Sequence, residues 1–579
     1  MNELIDELKD MIKSAFPYLI LLVISFLFLL LFSLWTSPFY ENWYGCDASF
    51  FTMVGRGITM GKLPYRDFFD LKGPYFFFIE ALGQFIHKDR LGVFIIQVIF
   101  MWVDLILVVK ICRIFLNRAK TAAVLVIFLF THASILWGGN TLEEYMQPLN
   151  FLVVYVTLKF LHERKLSEDD IPFHVPFISG IASGVMIFSK ITVAAPIAGI
   201  CIGVGISLLI YKRYKTLLYY VIYFILGLLT AIVPILAFFY FNGFLSYMLY
   251  CVFEFAFLRG TDFAEPFNIK WELKLAGCFL GFLTGIFHLP GIERLPKKIY
   301  NSRLLLMARS GLTSVKNVIS VRIRTLPGAG SDEADKDLIV PDKNETVGEE
   351  ADILSGSDIS KQKIKDPKKP SLPIELCLIL IFSSLIAYTL LHLGDPFIYY
   401  FMTAEPVMLM ALVLILYLYD PLILFSGKRE AICLIIMGIY IFYFGMFSMD
   451  TIQTPIYDRG NEYYGNYYND AQDLALLIPE YERDSVYSFD IDMTFFEATR
   501  IMPCYKYQIN LQFFIALNPD ILTEIQEYLN DTPPKWLIIS DTLDQYIPEI
   551  YDTVMVKYHL ISQNSAGCLY RLDEEPYYQ

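Results

Sequence analysis

Apolar runs near the roughly 20 residues that cross a bilayer recur along the first 450 residues, separated by short polar connections. The pattern predicts about eleven membrane-spanning helices, near 16–36, 91–112, 120–137, 147–163, 171–189, 191–211, 216–241, 271–289, 373–393, 396–419 and 431–449. One apolar stretch, 73–87, is too short for an easy crossing and carries Glu80; it reads as a re-entrant or interfacial helix. Beyond residue 450 the pattern changes to short mixed runs. Helix-like stretches at 470–480 and 519–529 alternate with strand-like runs at Ser485–Ile491, Trp536–Ser540, Thr553–Ser562 and Cys568–Leu572, the signature of a small α/β domain.

Charge placement orients this ladder. The basic connections KICRIFLNRAK, HERK, YKRYK, LPKKIYNSR with VRIR, and GKRE all fall on one side, which the positive-inside rule makes the cytoplasm. The N-terminus is then cytoplasmic and the 451–579 domain extracytoplasmic, in a multi-pass cell-membrane protein. A full crossing by 73–87 would move the first two basic loops outside, so the charge rule favours the re-entrant reading. Residues 290–372 form a cytoplasmic insertion. It begins with a basic amphipathic stretch suited to an anionic leaflet and continues as an acidic tract too poor in apolar residues to fold.

Composition agrees. The chain is 55% hydrophobic and 16% aromatic, more apolar surface than a soluble core of this length needs. Its net charge of −14 argues against a nucleic-acid partner, which requires a basic footprint. The nine cysteines form no metal-ligand spacing, and a Cys504–Cys568 bridge would need an oxidising compartment. The N-terminal apolar run lacks a small-residue cleavage site and reads as an anchor.

The segment 38–90 carries Arg56, Lys62, Arg66, Lys72, Lys88 and Arg90, although external loops are usually poor in cations. Either these pair with Glu41, Asp47, Asp67, Asp70 and Asp89, or they serve an anionic ligand such as a lipid phosphate. From Asp47 to about Met60, Phe50, Phe51, Val54 and Ile58 recur at helical spacing, and Gly61 and Pro64 end the helix. Asp47 then sits at its start, as an N-cap or as a carboxylate kept ionised by the helix dipole. The second outer loop, Trp137–Pro148, places Glu143 and Glu144 at the mouth of a span on the same side as Asp47. That suits a two-carboxylate site in which one group is a general base.

Asp47-Ala48, PYRDFFDLKGPYFFFIEALG and NTLEEYMQPL together resemble the outer-loop motifs of the GT-C class of membrane glycosyltransferases, closest to the protein O-mannosyltransferase and aminoarabinose transferase group. The resemblance covers roughly residues 16–450. It implies a GT-C-like fold with juxtamembrane helices and a lipid-exposed groove, and inverting transfer of a monosaccharide from a polyprenyl-phosphate donor to an extracytoplasmic glycan, lipid or protein acceptor. Carried over, Asp47 is the general base, Glu144 or Glu143 the second acid, and Lys72, with Arg66 and Asp70 nearby, the donor-phosphate site. Lys190 resembles a further family cation, and Tyr400 falls in PFIYYFMTAEP, where relatives often have His-Tyr. Gly73 replaces the first proline of the family's Lys-Pro-Pro. No motif demands a metal, although two or three carboxylates could hold a divalent ion. The rival classes are a lipid-linked glycan flippase or transporter, which often shows internal repeats not found here, and a glycan polymerase or ligase.

Overall fold

The computed structural model describes residues 2–40, 45–259, 275–290, 372–392, 397–419 and 462–573. The expected span at 431–449 and almost all of the 290–372 insertion lie outside these residues. The described part belongs, apart from Pro290, to one compact unit made of 1–289 and 372–579.

The architecture is mostly helical. The first half runs through α1 (Asn2–Phe32), α2 (Cys46–Thr59), α3 (Pro74–Ile86), α4 (Arg90–Phe115), α5 (Arg118–Ile135), α6 (Leu142–Glu163) and α7 (His174–Ile187). A 3-10 turn, Ile191–Ala194, leads into α8 (Ala195–Ile210), and α9 (Tyr214–Phe241) follows. After a short helical run at 245–259 come α10 (Ala276–Phe287), α11 (Ile374–Leu391) and the 3-10 turn Ile398–Ala404, which opens α12 (Glu405–Leu418). Among the described residues, seven helical segments are long and apolar enough to cross a bilayer. The protein is a multi-pass membrane protein.

Burial separates these helices by position. The segment Ile398–Leu418 is 94% buried and forms the centre of the bundle. The α9 window is only 17% buried and exposes Leu218, Ile222, Ile225, Leu229 and Val233, an apolar surface suited to lipid. The short stretch 73–87 forms α3, 13 residues long, about 20 Å at 1.5 Å per residue and too short for the hydrocarbon layer. The second loop is shorter than its sequence indicated, because α6 already begins at Leu142.

The C-terminal segment is a four-stranded sheet with helices. Strands β1 (Val486–Phe489), β2 (Trp536–Ile539), β3 (Tyr558–Asn564) and β4 (Gly567–Leu572) lie in the order β1-β2-β4-β3. The β1–β2 pair is parallel, with Val486 opposite Trp536, and the other pairs are antiparallel. Its helices are α13 (Glu462–Leu476), α14 (Thr494–Thr499), α15 (Leu511–Leu517), α16 (Asp520–Asp531) and α17 (Pro548–Lys557). The strand-like run at 553–562 is therefore half helix: α17 takes residues through Lys557 and β3 starts at Tyr558. Val554 is fully buried on the helix, so a β-branched core residue there mimicked a strand signal. Cys504 and Cys568 are not bonded. Cys568 sits in β4 opposite Ile539, and Cys504 contacts the Tyr528 hydroxyl at 3.3 Å.

This segment docks on the first long connection. Arg56 of α2 is buried against the Glu497 carboxylate and donates to the Phe496 carbonyl at 3.1 Å. Lys62 donates to the Pro503 carbonyl at 3.2 Å, and the Phe69 amide to the Lys506 carbonyl at 2.8 Å.

Candidate active site

The helix α2 begins at Cys46, with Gly45 in extended backbone as its N-cap and no side-chain cap. Asp47 is thus in the first turn and does not cap the helix. Phe50, Phe51 and Val54 are buried, as the helical spacing required, and Gly61 ends the segment at φ +86°.

Asp47 and Phe51 lie one turn apart, on one face of α2. The Lys72 ammonium stands over the Phe51 ring, 4.5 Å from its centroid, and 3.6 Å from Asp70 Oδ2. Asp70 is buried, and its Oδ1 accepts from the Leu71 amide at 2.6 Å. The face that carries Asp47 therefore also carries Lys72.

Gly73 explains how Lys72 is held. Its amide donates to the Ser189 carbonyl at 2.7 Å, a bond that proline could not make. A Cβ at this position would fall 2.0 Å from the Phe188 carbonyl oxygen. The backbone after Lys72 lies flat on Phe188–Ser189, and the next residue is Lys190. Glycine at this position is what allows this clasp between the two lysines.

Lys190 Nζ pairs with Glu143 Oε1 at 2.6 Å and lies 3.1 Å from the centroid of the Tyr400 ring. Tyr399 packs edge-on against Tyr400, with ring centroids 4.9 Å apart, and lies within electrostatic range of both Glu143 and Asp47. Glu143, Lys190, Tyr399 and Tyr400 thus meet from α6, the turn after α7 and the turn before α12, with Asp47 of α2 within electrostatic range of Tyr399.

Glu144 goes elsewhere. Successive helical residues point about 100° apart, so the two glutamates cannot share a partner. Glu144 is buried and accepts two hydrogen bonds from Gln97 Nε2, at 3.1 and 3.0 Å. Gln97 in turn accepts from the hydroxyls of Ser33 and Thr36. Gln147, one turn after Glu143, donates to the Met402 carbonyl and to Glu405 Oε2 at 3.0 Å; His132 also contacts Glu405, at 3.1 Å. These buried bonds fix α6 against the Tyr399–Tyr400 turn. Their members Gln97, His132 and Glu405 are isolated polar positions in apolar helices, and such intramembrane polar groups were the available signal for them.

Arg66 leaves the group as well. Its guanidinium grips Asp67 Oδ2, at 2.7 and 2.9 Å, and lies over the Phe244 ring. Arg90 donates to the Tyr40 carbonyl at 2.6 Å. Much of the cationic excess in the 38–90 segment is therefore spent on internal partners and on docking the C-terminal segment.

The C-terminal segment adds one carboxylate within electrostatic range of Asp47. The loop after β1 passes through Asp490, at φ +54°, to Asp492. Burial raises Asp492 above the ordinary carboxylate range; its hydrogen bonds with Thr494 oppose this and the charge of Asp47 adds to it. Burial raises the Cys46 thiol too, followed by the charge of Asp492. Some 440 residues separate Asp47 from this loop, so no local motif could have joined them. Tyr467 is buried, and its hydroxyl donates to the Asp492 carbonyl oxygen at 3.0 Å. Among the described residues no group of three or more His, Cys, Asp or Glu side chains could hold a metal ion.

No family model and no curated relative matches the chain. Solved structures do. ArnT from Cupriavidus metallidurans bound to undecaprenyl phosphate is 12% identical, with a TM-score of 0.48, over 96% of this chain and 98% of that one. The archaeal oligosaccharyltransferase AglB from Archaeoglobus fulgidus, in complex with an inhibitory peptide and a dolichol-phosphate, is 13% identical, with a TM-score of 0.43, over 98% of this chain and 75% of that one. The apo form of the Archaeoglobus fulgidus enzyme gives 13% identity and a TM-score of 0.46.

Proposed function

We propose that this protein transfers a monosaccharide from a polyprenyl-phosphate donor to an acceptor hydroxyl on the extracytoplasmic side of the membrane, with inversion at the anomeric carbon. The meeting of Glu143, Lys190 and the Tyr399–Tyr400 turn, within electrostatic range of Asp47 on a helix face that also carries Lys72, is the observation that supports this reading.

Asp47 takes the proton of the acceptor hydroxyl as its oxygen bonds to the anomeric carbon. The bond from that carbon to the phosphate oxygen breaks on the opposite face, and the electron pair leaves with the polyprenyl phosphate. Lys72 faces the departing phosphate as a point charge. Fixed cations aimed at the charge that develops there supply the main electrostatic part of catalysis. Lys190 is the second cation, set by Glu143 and Tyr400. Glu144 acts at one remove, by anchoring α6 through Gln97. Arg66, paired with Asp67, stands outside this set of contacts.

The test is Asp47→Asn, assayed with a short-chain polyprenyl-phosphate sugar in detergent. Loss of a general base lowers turnover by about 10²–10⁴-fold, while donor binding stays near wild type. Transfer at the wild-type rate would remove Asp47 from the mechanism.

A further inference from the structure

A second site lies where the C-terminal segment meets the 245–259 run. A cavity of about 190 Å³ opens between Tyr247, Tyr250, Tyr507, Asn518, Asp520 and Glu524. It is smaller than the roughly 300–1,000 Å³ of drug-sized pockets and suits one sugar-sized ring. The rings of Tyr247 and Tyr250 lie nearly parallel, 21° apart with centroids at 6.0 Å. Both are only half-buried, so they are not ordinary core tyrosines. Such rings combine an apolar face with a polar tip, which matches a sugar's alternation of C–H faces and hydroxyls.

The polar rim has been set in place. Asn518 Nδ2 donates to the Tyr250 hydroxyl at 2.9 Å, and the Tyr507 hydroxyl donates to Glu524 Oε2 at 2.7 Å. Glu524 also pairs with Lys506 Nζ at 2.5 Å, so its charge is balanced. Asp520, exposed at the mouth, sets the sign of the site as negative. An anionic ring is repelled there, whereas an uncharged or amino sugar is not.

One wall residue of the cavity is close in sequence to the candidate active site. This is Phe69, whose ring packs against Tyr507 with centroids 5.0 Å apart and whose amide is bonded to the Lys506 carbonyl. The next residues in the chain are Asp70 to Lys72.

We propose that this cavity is a subsite for one uncharged or amino sugar ring of the acceptor. The proposal rests on the glycosyl-transfer reading, which makes the ligand an acceptor, but binding itself can be measured without transfer. The experiment is saturation-transfer NMR on the full chain in detergent, with four probes: the methyl glycosides of glucose, N-acetylglucosamine, glucosamine and glucuronic acid. The expected result is saturation of at least one of the first three, no saturation of the glucuronide, and at least tenfold weaker binding in Tyr250→Ala. Asp520→Lys, at an exposed position, keeps the fold while admitting the glucuronide. Asp47→Asn binds as wild type, so failure of the transfer reading and failure of this one are distinguishable. Saturation of none of the four glycosides, or signals unchanged in both Tyr250→Ala and Asp520→Lys, would overturn the proposal.

Discussion

The Glu143–Lys190 pair predicts an unequal response to its two truncations. Glu143 is 3% exposed and Lys190 26%. Lys190→Met leaves a carboxylate buried without its ammonium, and breaking a buried pair in this way costs about 3–5 kcal/mol. Glu143→Gln leaves a lysine that water still reaches and that keeps the Tyr400 ring beneath it, an interaction of about 0.5–2 kcal/mol. Its expected cost is about 1 kcal/mol, the range of partly solvated pairs. The double variant removes the stranded charge and recovers most of the Lys190→Met loss, giving a coupling of about 3 kcal/mol in a double-mutant cycle. The assay is denaturant unfolding in detergent at pH 7. Equal costs for the two single variants, or no recovery in the double, would refute the reasoning.

Two other variants probe the surrounding architecture. Gly73→Ala drives a Cβ into the Phe188 carbonyl and so parts the clasp between Lys72 and Lys190; the expected loss is about 3 kcal/mol, at the upper end of overpacking costs, with a raised donor KM, and wild-type unfolding and KM would show that the clasp is absent. Asp492→Asn keeps the oxygen that accepts from the Thr494 amide and removes a charge that burial disfavours. Since the folded carboxyl ionises at higher pH than the unfolded one, the native acid loses stability as pH rises from about 4; the variant should therefore be more stable than wild type at pH 7 and equal to it near pH 4, as read by unfolding at both values.

The membrane architecture was legible because its signals are local. A run of apolar residues near bilayer length is a helix wherever it occurs, and the helices at 90–115, 118–135, 195–210, 214–241 and 374–391 follow from that alone. The spacing of Phe50, Phe51 and Val54 likewise determined α2 and its buried face. The cap of α2 was less legible, since Gly45 and Asp47 are both acceptable starts and backbone geometry chose between them.

The sequence by itself also brought Asp47, Glu143, Glu144, Lys72 and Lys190 into view as charges near the ends of apolar runs. It could not assign their partners. Helical phase turns Glu143 toward Lys190 and Glu144 toward Gln97, a difference of about 100° that becomes meaningful only when the neighbouring helices are in place. Arg66 and Lys72 each pair with a neighbouring aspartate, and only the fold shows that Lys72 stacks on Phe51 of α2 while Arg66 lies over Phe244. Asp492 and the Tyr247–Tyr250 cavity depend on contacts across some 250 to 450 residues. Local physics sets which segments become helices, because each satisfies its own backbone bonds within lipid. Only the tertiary structure decides which charges meet, because a buried charge takes its partner from whatever element packs against it.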